Sequence, residues 1–298
     1  MVRGVDGGWL GVLTPRRAAV IGHPVGHSLS PVLHRAAYAA LGLPHTYEAI
    51  DVPDGGAPGL LAGLDAGWLG LSVTMPHKHA VLEAADVVEP LARTVGAANT
   101  VLVTASGPHR LLVAANTDVH GAAEALREVR PAGTPPARTA VVLGAGGTAA
   151  AVLAALAELG VTTPVVCVRS QARAAGLLQA AHRMGVDVTL RRFDHAADLI
   201  ADADLVVQTA VAGAADPVAA ELATVLGERR LRPGQTLLDV IYDPWPTALA
   251  AVWSGAGGAV APGSLMLLHQ AAEQVRLMTG LPAPVDAMRA ALEAATRA

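Results

Sequence analysis

Residues 140–150 read Ala-Val-Val-Leu-Gly-Ala-Gly-Gly-Thr-Ala-Ala, an apolar run that meets three glycines and passes straight into an alanine-rich stretch. An apolar tetrad of this kind, Ala140–Leu143, is a strand buried on both faces, and Gly147–Leu159 has the composition of a helix. Glycines at the strand-to-helix turn leave backbone N–H groups and the positive end of the helix bare, a cradle for a pyrophosphate. Gly144, Ala145, Gly146, Gly147, Thr148 and Ala149 form that cradle. A glycine-rich turn alone is weak evidence; within a strand–turn–helix–strand unit it is good evidence. Val165–Val168 supplies the next strand, and Asp204–Val207 and Leu237–Ile241 two more. The predicted architecture is a doubly wound nucleotide-binding domain.

The first 120 residues alternate in the same way but less cleanly. Strands are expected at Ala18–Ile21, Thr46–Val52, Gly70–Thr74, Thr100–Val103 and Leu111–Ala115. Helical patterns fall at Val32–Ala40, Gly59–Leu64 and His79–Glu83. The reading is a second α/β domain with a mainly parallel sheet. A helix over Gly121–Glu128 leads to Arg130-Pro131-Ala132-Gly133-Thr134-Pro135-Pro136-Ala137, the best domain boundary in the sequence. Two domains also suit a length of 298 residues. The tail is helical over Gly263–Gly280 and Ala287–Ala295, and residues 1–16 read as a poorly ordered extension.

Composition excludes several classes of function. With 52% apolar and 15% charged residues the chain is a well-buried globular protein. No apolar run approaches the ~20 residues that span a bilayer, and no signal peptide is evident. A net charge of −4 and few aromatics give no nucleic-acid surface. The single cysteine, Cys167, excludes an intrachain disulfide and fits a reducing cytoplasm.

Outside the glycine turn, the loop Gly22-His23-Pro24-Val25-Gly26-His27-Ser28-Leu29-Ser30-Pro31 presents two hydroxyls on a stiffened backbone. Ser28 and Ser30 suit a small, oxygen-rich ligand, or an ST-turn that caps the helix starting near Pro31. The strand ending at Val168 is followed by Arg169 and Ser170 where a dinucleotide fold meets the adenosine ribose. No acid stands there to accept from ribose hydroxyls, and the Arg169 guanidinium offers a charged fork for a 2′-phosphate, favouring NADP over NAD. His23 and His27 are four apart, but the glycines and Pro24 rule out the helix on which that spacing would serve zinc. No metal site is predicted.

Seven motifs in order carry a wider resemblance: the serine loop, Val73-Thr74-Met75-Pro76-His77-Lys78, Gly96-Ala97-Ala98-Asn99-Thr100, Asn116-Thr117-Asp118-Val119-His120-Gly121, the glycine turn, Asp239-Val240-Ile241-Tyr242-Asp243-Pro244-Trp245-Pro246-Thr247 and Met266-Leu267-Leu268-His269-Gln270-Ala271. From about Ala18 to Gly280 the chain resembles the shikimate dehydrogenases. The resemblance implies a substrate domain over 1–120, completed by helices in 264–298, and a Rossmann-type NADP-binding domain over 121–263. It implies NADPH-dependent reduction of 3-dehydroshikimate to shikimate, with Lys78 and Asp118 as the catalytic pair. Ser28 and Ser30 would meet the substrate carboxylate, assisted by Tyr242; Thr74, Asn99 and Gln270 would meet the ring hydroxyls. Gly263 joins the cofactor set. A dehydrogenase of quinate, shikimate or aminoshikimate in catabolism or specialised metabolism is the alternative. Another class of answer is a non-catalytic sensor of a dinucleotide or of the pathway acid, which would have no use for Lys78 and Asp118. The partner is a small molecule, not nucleic acid or membrane, and a homodimer is allowed. Departures from the family pattern stand at Arg35, Ser72, Val168 and Gln208–Ala214.

Overall fold

The computed structural model describes residues 2–3, 9–10, 14–106 and 109–297. The expected N-terminal extension lies largely outside the described residues, apart from a short antiparallel ladder of β1 (Val2–Arg3) and β2 (Trp9–Leu10). The chain divides into two units. The first comprises residues 1–89, 98–115 and 271–298; the second comprises 90–97 and 116–270. Among the described residues no helix is long and apolar enough to cross a membrane.

The first unit is built on β3 (Arg17–Gly22), β4 (Thr46–Asp51), β5 (Trp68–Val73), β6 (Val87–Val88), β7 (Thr100–Ser106) and β8 (His109–Ala115). They form one sheet in the order β4-β3-β5-β7-β8-β6. Only β7 runs against the rest, paired antiparallel with β5 and β8. The sheet is thus mainly parallel, as a strand–helix alternation requires. Its centre is β5, buried along its whole length, beside β3, where only Arg17 reaches solvent. Helices α1 (Ser30–Ala40), α2 (Ala57–Ala62) and α3 (Lys78–Ala84) connect the parallel strands. Ile21, Leu33 and Leu71 are fully buried here; each such side chain contributes about 1.5–3 kcal/mol of transfer free energy.

The second unit holds β9 (Ala140–Leu143), β10 (Val165–Val168), β11 (Thr189–Arg192), β12 (Leu205–Gln208), β13 (Thr236–Asp239) and β14 (Ala259–Pro262). The order is β11-β10-β9-β12-β13-β14 and every pair is parallel. Numbered within the unit this is 3-2-1-4-5-6, the doubly wound order, in which the direction of winding reverses between β9 and β12. Helices α4 (Pro90–Val95), α5 (Asp118–Val129), α6 (Gly147–Glu158), α7 (Ala175–Met184), α8 (Ala196–Asp202), α9 (Asp216–Leu226) and α10 (Ala248–Gly255) cover it. Residues 149–156 of α6 are buried on every face, and its small alanines let α4, α5 and α7 pack around it. The proline-rich stretch 130–137 lies inside this unit, because α5 before it packs on α6 after it.

Helix α11 (Gly263–Thr279) begins in the second unit and ends in the first; α12 (Val285–Thr296) follows and packs on α1.

Candidate active site

In the first unit three loops meet at the carboxyl ends of parallel strands, the usual place for a ligand in an open α/β sheet. The ladder of β3 and β5 continues past the strands: Thr74 N–H donates to Ile21 O at 2.9 Å and His23 N–H to Met75 O at 3.0 Å. Val73 N–H donates to Asn99 O at 2.7 Å and Ala98 N–H to Lys78 O at 3.0 Å, which ties in the third loop. Ser28, Thr74, Lys78 and Asn99 are therefore held on one stitched backbone. Thr74, Lys78 and Ser28 are half-buried and Asn99 is buried. Lys78 opens α3. The serine loop is pinned from β4, where Asp51 accepts from Val25 N–H at 3.1 Å and sits 2.8 Å from His23 Nδ1. That hydrogen bond to His23 holds the Asp51 carboxyl below its usual range.

The two serines have different environments. Ser28 Oγ accepts from Ser30 N–H at 3.3 Å, the ST-turn that opens α1, and stays partly exposed. Ser30 is buried and hydrogen-bonds the Tyr47 hydroxyl. Behind it runs a buried polar network absent from the sequence-based set. Tyr47 OH donates to Ser72 Oγ at 2.5 Å, and Ser72 donates to Gln274 Oε1 at 2.7 Å. Gln274 Nε2 donates to Asn99 O at 3.1 Å and Thr100 Oγ1 at 2.9 Å, and Thr100 donates on to Asn99 Oδ1 at 2.9 Å. His34 Nε2 lies 3.2 Å from Gln274 Oε1, which fixes the Nε2–H tautomer, and its ring stacks on Tyr47 at 4.0 Å. Burial drives the His34 pKa down to about 4, partly opposed by the bond to Gln274.

This network accounts for two departures from the family pattern: Ser72 is its central relay, and Arg35 Nε donates to Tyr47 O at 2.8 Å. A hint was present in sequence, since Gln274 stands one helical turn beyond Gln270 and shares its face.

The second unit carries the remaining residues. Asp118 is buried and opens α5, where the helix N-terminus favours a negative charge. Ahead of it Asn116 bridges two segments, donating to Ala97 O at 2.8 Å and accepting from Val119 N–H at 3.3 Å. Thr117 Oγ1 donates to Gln270 Oε1 at 3.4 Å, and Gln270 Nε2 to Leu267 O at 3.0 Å. Tyr242 sits half-buried in the loop after β13. That loop is organised by Asp239, which accepts from Ile241 N–H at 3.1 Å and from Thr247 Oγ1 at 2.6 Å. Thr247 in turn caps α10 by accepting from Ala250 N–H at 3.1 Å. Burial pushes the Asp239 carboxyl and the Tyr242 hydroxyl above their ordinary values.

At the switch point, Gly144 leaves β9 with φ +110°, and a Cβ there would stand 2.6 Å from Thr209 Oγ1. Only glycine fits. Gly146 and Gly147 at the start of α6 are exposed, while Ala145 and Thr148 are half-buried and Ala149 is packed inside. The turn thus leaves backbone N–H groups uncovered where a pyrophosphate would lie, so these residues fit a dinucleotide. Gly263 is buried at the start of α11, so close to Val240 O that a side chain would collide with it. The loop after β12 is held by Gln208, whose Nε2 donates to Ala210 O at 3.1 Å and whose Oε1 accepts from Ala210 N–H. Arg169 and Ser170 follow β10 and are exposed. Arg169 lines a cavity of about 530 Å³ that lies wholly within this unit. Among the described residues no group of three or more His, Cys, Asp or Glu could hold a metal ion.

A doubly wound unit with a glycine-rich switch point, joined in one chain to a mixed sheet carrying a polar loop cluster, defines a dinucleotide-dependent oxidoreductase class. Family models match over most of the chain: the shikimate dehydrogenase substrate binding domain at residues 20–101, shikimate/quinate 5-dehydrogenase at 131–240, and the shikimate 5′-dehydrogenase C-terminal domain at 263–293. A shikimate dehydrogenase (NADP(+)) of Rubrobacter xylanophilus is 41% identical over 279 residues, 92% of this chain and 94% of that one. The crystal structure of the Mycobacterium tuberculosis shikimate dehydrogenase matches with a TM-score of 0.81 at 45% identity, covering 94% of this chain and 100% of the other. The Thermus thermophilus shikimate 5-dehydrogenase, solved with NADP(H) and shikimate, matches at 0.77 and 35% identity over 94% and 99%. The chain belongs to the shikimate dehydrogenase family.

Proposed function

We propose that this protein is an NADP-linked shikimate dehydrogenase that reversibly reduces 3-dehydroshikimate to shikimate in aromatic biosynthesis. The observation that carries the reading is the stitched loop set after β3, β5 and α4, which holds Ser28, Thr74, Lys78 and Asn99 together in the first unit. A polyhydroxylated cyclohexene acid needs several neutral donors and acceptors, each worth about 0.5–1.5 kcal/mol net. Ser28 and Ser30, with Tyr242, are assigned to its carboxylate; Thr74, Asn99 and Gln270 are assigned to its hydroxyls. Lys78 delivers the proton to the ketone oxygen as the carbon is reduced, and Asp118 is its acidic counterpart in holding and polarising the ammonium. NADPH, when bound, supplies the two electrons and the hydrogen that reach carbon. Gly144–Ala149 would hold its pyrophosphate, with Gly263 completing the cofactor set, and Arg169 with Ser170 its 2′-phosphate. A cytoplasmic location belongs to the same proposal and is supported by the single cysteine, Cys167.

The test follows absorbance of the reduced nicotinamide with shikimate or quinate and with NADP or NAD. Shikimate with NADP should turn over fastest. Quinate adds a tertiary hydroxyl beside the carboxylate, where Ser28, Ser30 and Tyr242 are assigned, and should be slow or inert. Quinate efficiency equal to or above that of shikimate would replace this reading with a catabolic quinate dehydrogenase.

A further inference from the structure

The strand end that carries Arg169 has a neighbour. In the parallel ladder of β10 and β11, Val168 is paired directly with Arg192, so the residue before Arg169 and the last residue of β11 stand side by side. Arg169 and Arg192 line the same cavity of about 530 Å³ within the second unit, with Asp194, Gly213, Pro217 and Glu221 among the other walls. Val168 is buried and apolar and offers no polar group of its own. The next strand brings a second guanidinium to this strand end. We propose that Arg192 is a second arginine for the 2′-phosphate of the adenosine ribose, and that it sets cofactor preference jointly with Arg169. This rests on the NADP-linked reading above.

The geometry of Arg192 suits the task. Its Nε lies 3.1 Å from both carboxylate oxygens of Asp194, and its Nη2 lies 2.7 Å from Oδ2. That fork spends one edge of the guanidinium and fixes its plane. The two N–H groups of Nη1 and the outer one of Nη2 are not used by this carboxylate, and they are the kind of planar donor set that grips phosphate oxygens. Pairing with Asp194 also keeps the guanidinium firmly protonated and the carboxylate ionised. Charge points the same way. Without Arg192 the cavity would set one cation, Arg169, against Asp194 and Glu221, the wrong balance for a dianion.

Adenosine 2′,5′-bisphosphate and adenosine 5′-monophosphate isolate the adenosine half from catalysis, and calorimetry on the full chain reads both. The wild type should prefer the bisphosphate. Arg192→Ala should weaken it roughly tenfold, the low end for charged hydrogen bonds because the site is exposed, and change the monophosphate less than about twofold. Arg192→Lys should fall between the two, and the loss should shrink at high salt. Unchanged monophosphate binding also certifies that the variant folds. The double variant Arg192→Ala/Asp194→Asn separates contact from neutralisation: it should stay impaired. Restored bisphosphate binding in that double variant, or equal effects of Arg192→Ala on both nucleotides, overturns the assignment. If instead wild type shows no preference, or Arg169→Ala leaves it intact, the cofactor reading itself falls.

Discussion

Replacing His34 by glutamine should flatten the acid limb of this protein's stability. The imidazole is fully buried between Tyr38, Tyr47 and Gln274, and desolvation holds its pKa at about 4 against an ordinary value of 6.5. Because the folded value lies below the unfolded one, unfolding takes up a proton throughout the interval between them. The stability that depends on a neutral His34 is complete above pH 6.5 and is lost as pH falls towards 4. At ~1.4 kcal/mol per pKa unit the full amount is roughly 3 kcal/mol, of which about 2 kcal/mol has gone by pH 5. Glutamine keeps a donor for Gln274 Oε1 and cannot titrate, although it forfeits the stack on Tyr47 at every pH. Urea unfolding followed by circular dichroism at pH 7.5 and pH 5.0 gives the comparison. His34→Gln should be less stable than wild type at pH 7.5, and the gap should close by about 2 kcal/mol at pH 5.0. A constant gap across that range would refute the idea that His34 is held neutral in the network.

Lys78→Ala should lower kcat by roughly 10²–10⁴-fold with a much smaller change in KM, and Asp118→Asn should also cripple turnover; a raised KM at unchanged kcat would make Lys78 a binding residue. Gly144→Ala should cost about 1–3 kcal/mol from backbone strain and the collision with Thr209, and should abolish the thermal shift that NADP gives the wild type. A normal NADP-dependent shift in that variant would mean the turn does not hold the pyrophosphate.

The strands that sequence revealed most readily are those with continuous apolar runs. Ala140–Leu143, Val165–Val168 and Leu237–Ile241 appear as β9, β10 and β13, the last ending two residues early because Asp239 turns the chain. The outer strands of that sheet are not legible in the sequence, for a physical reason. Thr189-Leu190-Arg191-Arg192 is an edge strand with three exposed residues, and Ala259–Pro262 ends in proline at the other edge. Polar or proline-bearing edges carry little of the burial signal on which strand recognition depends. Proline is also a poor guide to the boundary: 130–137 is a loop within the second unit, while the change of unit at 115/116 falls in Ala114-Ala115-Asn116-Thr117, with neither glycine nor proline. In the candidate site, the residues assigned to ligands stand out in the sequence as polar motifs, whereas the meeting of Tyr47, Ser72 and Gln274 does not. Their contacts join positions 25 and 202 residues apart, and no local pattern encodes such a meeting.

Helix α11 holds two glutamines one turn apart, Gln270 bonded to Thr117 in one unit and Gln274 to Ser72 in the other. An α-helix advances about 100° per residue, so inserting or deleting a single residue between them would swing one amide a quarter-turn or more out of phase with its partners. A loop absorbs such a change by bulging freely; a helix does so only as a π-bulge that gives up its regular hydrogen bonds. Drift in length along this chain is therefore better tolerated in its turns than in residues 270–274, where each glutamine keeps its own buried partner.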